Sequence, residues 1–361
     1  MTSTDEPSAP PSRDPVDPAG PGDDRSGVDD LLHGIRRHVA QALQDDAPAW
    51  TREREATFLR ALGDIDDPPL PTDALRRLYR ELFSATRALL APTSVAYLGP
   101  AGTYTHAAVD AHFGHAVNAL PERSIPEVFH AVEAGRADFG VVPVENSTEG
   151  SVNHTLDLLG TTSLRICGEV KVRIQHSLMS RAGRVEDIVR VHAHPQSLAQ
   201  CRGWLDAHLP QAERVSESSN AAAAERVRDH ADAAAIASAS AAERYRLDVL
   251  MTGIEDVKTN TTRFLVMGDR DLSPTGTDAT SLLVSAAHRP GGLRELLEPF
   301  ERAGVSLTRI ESRPNRAGLW EYVFFIDVVG HQRDETLAPV LDRLREELPL
   351  MRVLGSYPQS L

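Results

Sequence analysis

The stretch Asn260-Thr261-Thr262-Arg263-Phe264 sets two hydroxyls and a guanidinium directly before the apolar run Phe264-Leu265-Val266-Met267. A polar side chain at the mouth of a buried strand is held by the scaffold, so its hydroxyl can be aimed at one bond of a ligand. Such a position suits a catalytic hydrogen-bond donor. A second apolar run, Val141-Val142-Pro143-Val144, ends in Glu145-Asn146-Ser147-Thr148-Glu149-Gly150, again polar and small where the apolar residues stop. Further groups of this kind fall at predicted strand-to-helix joints: 99–105, 146–150, His194-Pro195-Gln196-Ser197 and Ser218-Ser219-Asn220. Each joint offers backbone N–H groups and a hydroxyl or amide at a helix N-terminus, a ready site for a carboxylate. Taken singly, each reads as an ordinary N-cap. Gathered at the carboxyl ends of strands in one open sheet, they could hold a dianion without a metal.

The elements that must position these groups follow from periodicity. Residues 28–90 read as helical, with Leu31, Leu32, Ile35, Val39 and Leu43 on one 3.6-residue face, then Phe58, Leu59 and Leu62, then Leu75, Leu78, Leu82 and Phe83. Pro48 separates the first helix from the second. Pro68-Pro69-Leu70-Pro71, with Thr72 as N-cap, separates the second from the third. From Val95 short apolar strands alternate with amphipathic helices, the pattern of an α/β domain with mostly parallel pairing. Strands are expected at 95–98, 138–144, 188–193, 233–237 and 262–267, with helices such as 125–133, 197–207 and 220–229 between them. Residues 269–278, rich in Asp, Ser, Pro, Thr and Gly, read as a linker. Beyond it, strand 280–287, helix 292–303, strands 305–311 and 322–328, helix 335–347 and strand 351–354 give βαββαβ, a ferredoxin-like order that by itself implies no function.

A chain of 361 residues is long enough for two or three domains. Its formal charge of −14 argues against nucleic acid and anionic membranes as partners, both of which need basic patches. The two cysteines, Cys167 and Cys201, lack metal-ligand spacing and indicate neither a disulfide framework nor a zinc site. Residues 1–27 carry Asp5, Glu6 and scattered prolines without the apolar stretch of a secretion signal, and read as a disordered tail. No run approaches the roughly 20 apolar residues that cross a bilayer. A cytoplasmic protein is expected.

Both polar strand ends, with Tyr97-Leu98-Gly99-Pro100-Ala101-Gly102-Thr103-Tyr104 before them and Glu311-Ser312-Arg313-Pro314 after, make the chain resemble prephenate dehydratase. It looks most like the bacterial type with a chorismate-mutase region in front and an ACT domain behind, and the resemblance covers about 95–358. It implies a multidomain protein: a helical region at 28–92, a two-lobed, periplasmic-binding-protein-like dehydratase domain at 93–270, and an ACT domain at 279–358. The implied reaction is decarboxylating dehydration of prephenate to phenylpyruvate, without a cofactor, on the way to phenylalanine. Thr262 would donate to the departing hydroxyl, while Asn146 and Gln196 orient the substrate by neutral hydrogen bonds. Ser147, Thr148, Ser197, Asn220 and Thr103 would complete the substrate site. Arg263 would either grip a substrate carboxylate or close an internal ion pair at a domain boundary. His194 is open as an acid or a structural residue, and Glu145 as a structural partner.

The resemblance also implies a phenylalanine site in the ACT unit, built from the turn at Gly291, Gly292 and Leu293 and the loop at Glu311, Ser312, Arg313 and Pro314. There Gly292 stands where the family more often has alanine. Subunits would pair as a homodimer or larger. The front region departs from the mutase pattern. Arg54-Glu55 and Glu81-Leu82-Phe83-Ser84 resemble its second and third helices, and Thr86 takes a hydroxyl position, but Leu90 stands where a glutamine is expected. The only lysines are Lys171 and Lys258, so the mutase pocket has none; Arg36 or Arg37 could replace some of the lost charge, or be solvated on an exposed helix face. A vestigial scaffold that aids dimerisation is the reading favoured. The competing readings are an active bifunctional mutase and dehydratase, and a non-catalytic ligand sensor; arogenate is an alternative substrate.

Overall fold

A computed structural model of the chain describes residues 33–34, 52–66, 70–286, 289–314 and 322–360. The chain forms two compact units, Met1–Ala49 and Trp50–Leu361, and the second holds every element discussed below. The expected tail, the first helix with Arg36 and Arg37, and the Pro68-Pro69 break lie outside the described residues. Helices α1 (Arg52–Ala61) and α2 (Thr72–Leu90) pack through Leu59, Leu62, Leu75 and Phe83, with the Phe58 ring edge-on to Tyr79 and Phe83 at 4.9 and 5.5 Å. Thr72 begins α2 rather than capping it. Pro71 holds the cap position without a side-chain bond, because its ring supplies the turn that an N-cap hydroxyl would otherwise stabilise.

The next segment forms β1 (Ser94–Leu98), α3 (Tyr104–Phe113), β2 (Asn118–Glu122), α4 (Ile125–Glu133), β3 (Phe139–Asn146), the short β4 (Gly150–Ser151), α5 (Asn153–Leu159) and β5 (Arg165–Arg173). The chain then leaves this lobe to build a second one. That lobe comprises β6 (Ser177–Ser180), β7 (Arg190–Ala193), α6 (Pro195–Gln200), α7 (Arg202–His208), β8 (Glu213–Ser216), α8 (Asn220–Val227), β9 (Ala233–Ala237), α9 (Ala239–Tyr245) and β10 (Asp248–Thr252). Strand β11 (Thr261–Gly268) returns to the first sheet, giving orders β2-β1-β3-β11-β5 and β10-β6-β9-β7-β8.

Pairing is mixed, which corrects the expectation of a mostly parallel domain. Pairs β1/β2, β1/β3, β7/β8 and β7/β9 are parallel, whereas β11 runs antiparallel to both neighbours and β6 antiparallel to β9 and β10. The cause is the crossing: a chain that exits one lobe along β5 and re-enters along β11 must reverse direction. The expected helix 197–207 is also two helices, broken at Cys201, whose backbone lies outside the helical region. β3 and β11 are buried through their apolar residues, with Val141, Val142, Val144 and Phe264 to Met267 at most 2% exposed. This fixes both strand ends as rigid supports.

The last segment forms β12 (Asp278–Ser285), α10 (Gly292–Arg302), β13 (Leu307–Pro314), β14 (Tyr322–Val329), α11 (Ala338–Glu347) and β15 (Met351–Pro358) in an antiparallel sheet of order β13-β14-β12-β15. Leu282, Val284, Ile326 and Val328 meet Leu296, Phe300, Leu341 and Leu344 of the helices. Side chains from the opposite face, Leu283, Phe325 and Tyr357, join the core of the first lobe. The connection 269–278 is packed rather than loose: Leu272 and Asp278 are buried, and the Asp278 carboxylate accepts the Thr275 N–H at 2.7 Å and its hydroxyl at 2.6 Å.

Candidate active site

A cleft of about 1040 Å³ lies between the two lobes and is lined by Thr103, Asn146, His194, Gln196, Ser197, Asn220, Asn260 and Thr262, among others. It gathers the polar joints that sequence reasoning grouped. Thr103 caps α3 by accepting from the His106 N–H, and its hydroxyl donates to the Leu98 carbonyl at 3.2 Å. His194 caps α6 through Nδ1, which accepts from the Gln196 N–H.

At the lobe-one wall, the Asn146 amide is fixed in orientation by its neighbours. Its Oδ1 accepts from the N–H groups of Thr148 (2.9 Å) and Glu149 (3.0 Å), and backbone donors cannot reverse their role. Its Nδ2 therefore points at Thr262 Oγ1 (2.8 Å) and Asn260 Oδ1 (2.8 Å). The Thr262 oxygen accepts a bond, and its own hydrogen is left for the cleft. Lobe two repeats the device. The Asn220 Oδ1 accepts the His194 N–H (3.0 Å) and its Nδ2 donates to Ser197 Oγ (2.7 Å), which frees the serine hydrogen in the same way. Two hydroxyl donors, each oriented by an asparagine, thus stand on opposite walls.

Three expected substrate contacts are corrected. Arg263 does not reach the cleft: successive residues of a strand point to opposite faces, so Thr262 in the cleft puts Arg263 behind it. Its Nε donates to Glu169 (2.7 Å), Nη1 to Asp327 (2.6 Å) and Nη2 to the Tyr357 hydroxyl (3.0 Å). Burial works to lower the affinity of that guanidinium for its proton, but Tyr357, Asp327 and Glu169 outweigh it and hold the charge above the ordinary arginine range. Ser147 and Thr148 also stand outside the cleft lining. The Ser147 hydroxyl accepts from the Thr261 N–H (3.0 Å), and Thr148 spends its N–H on Asn146, so both shape the loop that presents the amide. Glu145 pairs with Arg309 at 3.0 Å.

Sequence reasoning passed over several cleft residues. Asn260 stands two residues before Thr262, hence on the same strand face, and that period-2 relation was the available signal. Tyr104, His176 and Gln200 form a chain across the cleft floor: the tyrosine hydroxyl donates to the Gln175 carbonyl (2.8 Å) and lies 3.0 Å from His176 Nδ1, whose Nε2 is 2.9 Å from Gln200 Oε1. Burial lowers the His176 pKa and raises that of Tyr104, so both are neutral near pH 7.

Residues 95–272 match the prephenate dehydratase family and residues 280–346 the ACT domain. A bifunctional chorismate mutase/prephenate dehydratase of Pseudomonas aeruginosa is 49% identical over 330 residues, 91% of this chain and 90% of that protein. The chain belongs to the prephenate dehydratase family. Among solved structures, the prephenate dehydratase of Arthrobacter aurescens in complex with L-Phe superimposes with a TM-score of 0.68 at 38% identity, covering 74% of this chain and 90% of that one. An enzyme described as a novel type of quorum-quenching acylase superimposes with a TM-score of 0.68 at 33% identity, covering 74% and 98%.

In the ACT domain, Gly291 adopts φ 85° at the cap of α10, a left-handed conformation that suits glycine, with Gly292 opening the helix and Leu293 exposed. The expected loop at 311–314 is instead the end of strand β13. Its alternation exposes Ser312 and Pro314 and turns Glu311 and Arg313 to the dehydratase domain, where Glu311 accepts from Ser151 (2.9 Å) and Arg313 pairs with Asp157 (2.7 Å). In helices α1 and α2, Arg54 is exposed, Glu55 is buried and paired with Arg87, and the buried Thr86 hydroxyl donates to the Leu82 carbonyl at 2.8 Å.

Proposed function

We propose that the chain is a prephenate dehydratase, and that the donor at its centre is Thr262. The observation that carries this reading is the fixed Asn146 amide on Thr262 Oγ1, which leaves one hydroxyl hydrogen for a substrate oxygen. Prephenate loses the C4 hydroxyl as the C1 carboxylate leaves as carbon dioxide. The C–C bonding electrons complete the aromatic ring, and the hydroxide takes up one proton to depart as water. A hydrogen bond aimed at that oxygen is worth about 10²–10³ in rate, because it strengthens as charge gathers there. An alkyl hydroxyl is a poor acid, so Thr262 polarises the leaving group and the consumed proton comes from solvent. Asn220, Ser197, Gln196 and Thr103 would hold the carboxylates and orient the ring, and low-dielectric cleft walls strengthen each bond.

Acyl transfer is disfavoured on the same geometry. A threonine nucleophile needs a base on its hydroxyl, and among the described residues Thr262 Oγ1 meets an amide donor instead. A second reading, with an active mutase as well, is favoured by the near full-length match to a bifunctional relative. Against it stand the absence of any lysine before Lys171, and the commitment of Glu55 to Arg87 and of Thr86 to Leu82. A vestigial helical region fits better.

The reading divides the chain into a tail (1–27), a mutase-like region (28–92), a dehydratase domain (93–270) of periplasmic-binding-protein-like lobes, and a ferredoxin-like ACT domain (279–358) that binds phenylalanine and lowers activity. It places the protein in the cytoplasm as a homodimer or larger; among the described residues no helix is long and apolar enough to cross a membrane. The test is ultraviolet detection of phenylpyruvate from the purified chain given prephenate, then chorismate. Prephenate should be consumed and chorismate converted slowly or not at all. Rapid chorismate turnover that vanishes in Arg54→Ala would establish the bifunctional reading.

A further inference from the structure

The strand pair that presents the cleft residues is gripped from behind by one residue of the ACT domain. Arg309 on β13 donates from Nη2 to the Ser151 hydroxyl at 2.8 Å and pairs through Nε with Glu145 at 3.0 Å. Glu145 and Ser151 face each other across the β3/β4 ladder, and the chain between them carries Asn146 and the two N–H groups that fix its amide. Glu311 takes the Ser151 hydrogen, and Arg313 holds Asn153 Oδ1 at 2.6 Å and Asp157. Alternate residues of one edge strand therefore hold a continuous piece of the dehydratase domain, from Glu145 to Asp157. Its cleft-lining members are Asn146, Glu149, Gly150, Ser151 and Val152.

We infer that Arg309 is a positioning residue for the dehydration: it sets the Glu145–Ser151 hairpin, and through it the Asn146 amide that orients Thr262. It is the member of the set that touches both ends of the hairpin, with its side chain only 12% exposed. A displacement of β13 would move the amide that aims the donor, so the cleft senses the placement of the ACT sheet. The inference rests on the dehydratase reading. Failure of the unmodified chain to make phenylpyruvate defeats that reading, whereas failure of the comparisons below defeats this one alone.

The experiment measures kcat and KM for prephenate, with thermal melting, in full-length Arg309→Met, Arg309→Lys, Glu145→Gln and the Arg309→Met/Glu145→Gln double variant. Arg309→Met should lower kcat roughly tenfold or more, since about 1 Å of misplacement at a reacting group can cost on the order of 10²-fold. KM should hold, because Arg309 touches no substrate. Arg309→Lys should restore part of kcat, and the double variant should fall no further than the worse single one, as residues in one contact behave non-additively. Wild-type kcat per folded molecule, with only the melting temperature lowered, would reduce Arg309 to an interdomain tie and overturn the inference. Losses that multiply in the double variant would overturn it too. If Arg309→Met fails to fold, Glu145→Gln, which keeps the side chain's shape, decides by the same kcat criterion.

Discussion

Residues 262 and 263 are neighbours on β11, yet they serve opposite faces of it. So do 146 and 145 on β3. On these two strands the side turned to the cleft carries uncharged hydrogen-bonding groups in a fixed arrangement: the Asn146 Nδ2 lies 2.8 Å from both Asn260 Oδ1 and Thr262 Oγ1. The back face is ionic, with Arg263 between Glu169 and Asp327, and Glu145 against Arg309. On β3 and β11, then, charge is kept to the side away from the cleft. Behind the strands each charge has a built-in partner, so no substrate is needed to satisfy it. In the cleft, the neutral donors become strongly engaged only when an anion arrives.

Arg263→Met leaves Glu169 and Asp327 buried without their cation, and removing one member of a buried ionic group costs about 3–5 kcal/mol, read as a lowered melting temperature. KM for prephenate should change little; a rise beyond about tenfold, the scale of ~1.4 kcal/mol, would return Arg263 to substrate binding. Asn146→Ala should lower kcat on the order of 10²-fold, because Thr262 loses the bond that orients it. A loss confined to KM would mean the amide acts on substrate rather than on threonine. Ser197→Ala, which removes one neutral donor on the opposite wall, should cost only about 1 kcal/mol, appearing in KM. A loss in kcat equal to that of Asn146→Ala would make the two walls equivalent.

Acid should weaken the fold through two imidazoles. His112 titrates well below its ordinary 6.5 because of burial and the nearby Arg52, Arg80 and Arg87, and His176 titrates lower because of burial. Each is held neutral in the folded chain, so its contribution is complete above about pH 6.5 and is lost as pH falls from there toward the depressed folded values. Melting temperature should decline below about pH 6.5, and less steeply in His112→Gln. A decline that is equally steep in that variant would remove His112 as a cause.

The place of Thr262 in the cleft was legible because it is a polar residue at the mouth of an uninterrupted apolar run. The βαββαβ order of the last segment was legible from alternation and turn residues. Of the two readings open for Arg263, the internal ion pair is the one the structure shows and the substrate contact is not. Its charge suggested an anionic ligand, whereas strand parity with Thr262 already assigned it to the far face. The long strand β5, and the insertion of β11 between β3 and β5, were not legible. Pairing between residues nearly a hundred positions apart leaves no local pattern, and Arg165–Arg173 carries charges at the exposed end that mask its buried half. Arg309 was invisible for a related reason: its partners lie more than 150 residues earlier.

If the Thr262 hydrogen eases the departure of water, kcat for prephenate must separate Thr262→Val from Thr262→Ser, with melting temperatures showing that both variants fold. Valine removes the hydroxyl at nearly constant volume and should cost about 10²–10³ in turnover, whereas serine keeps the donor and should retain most of it. Equal turnover in the two variants would contradict the account.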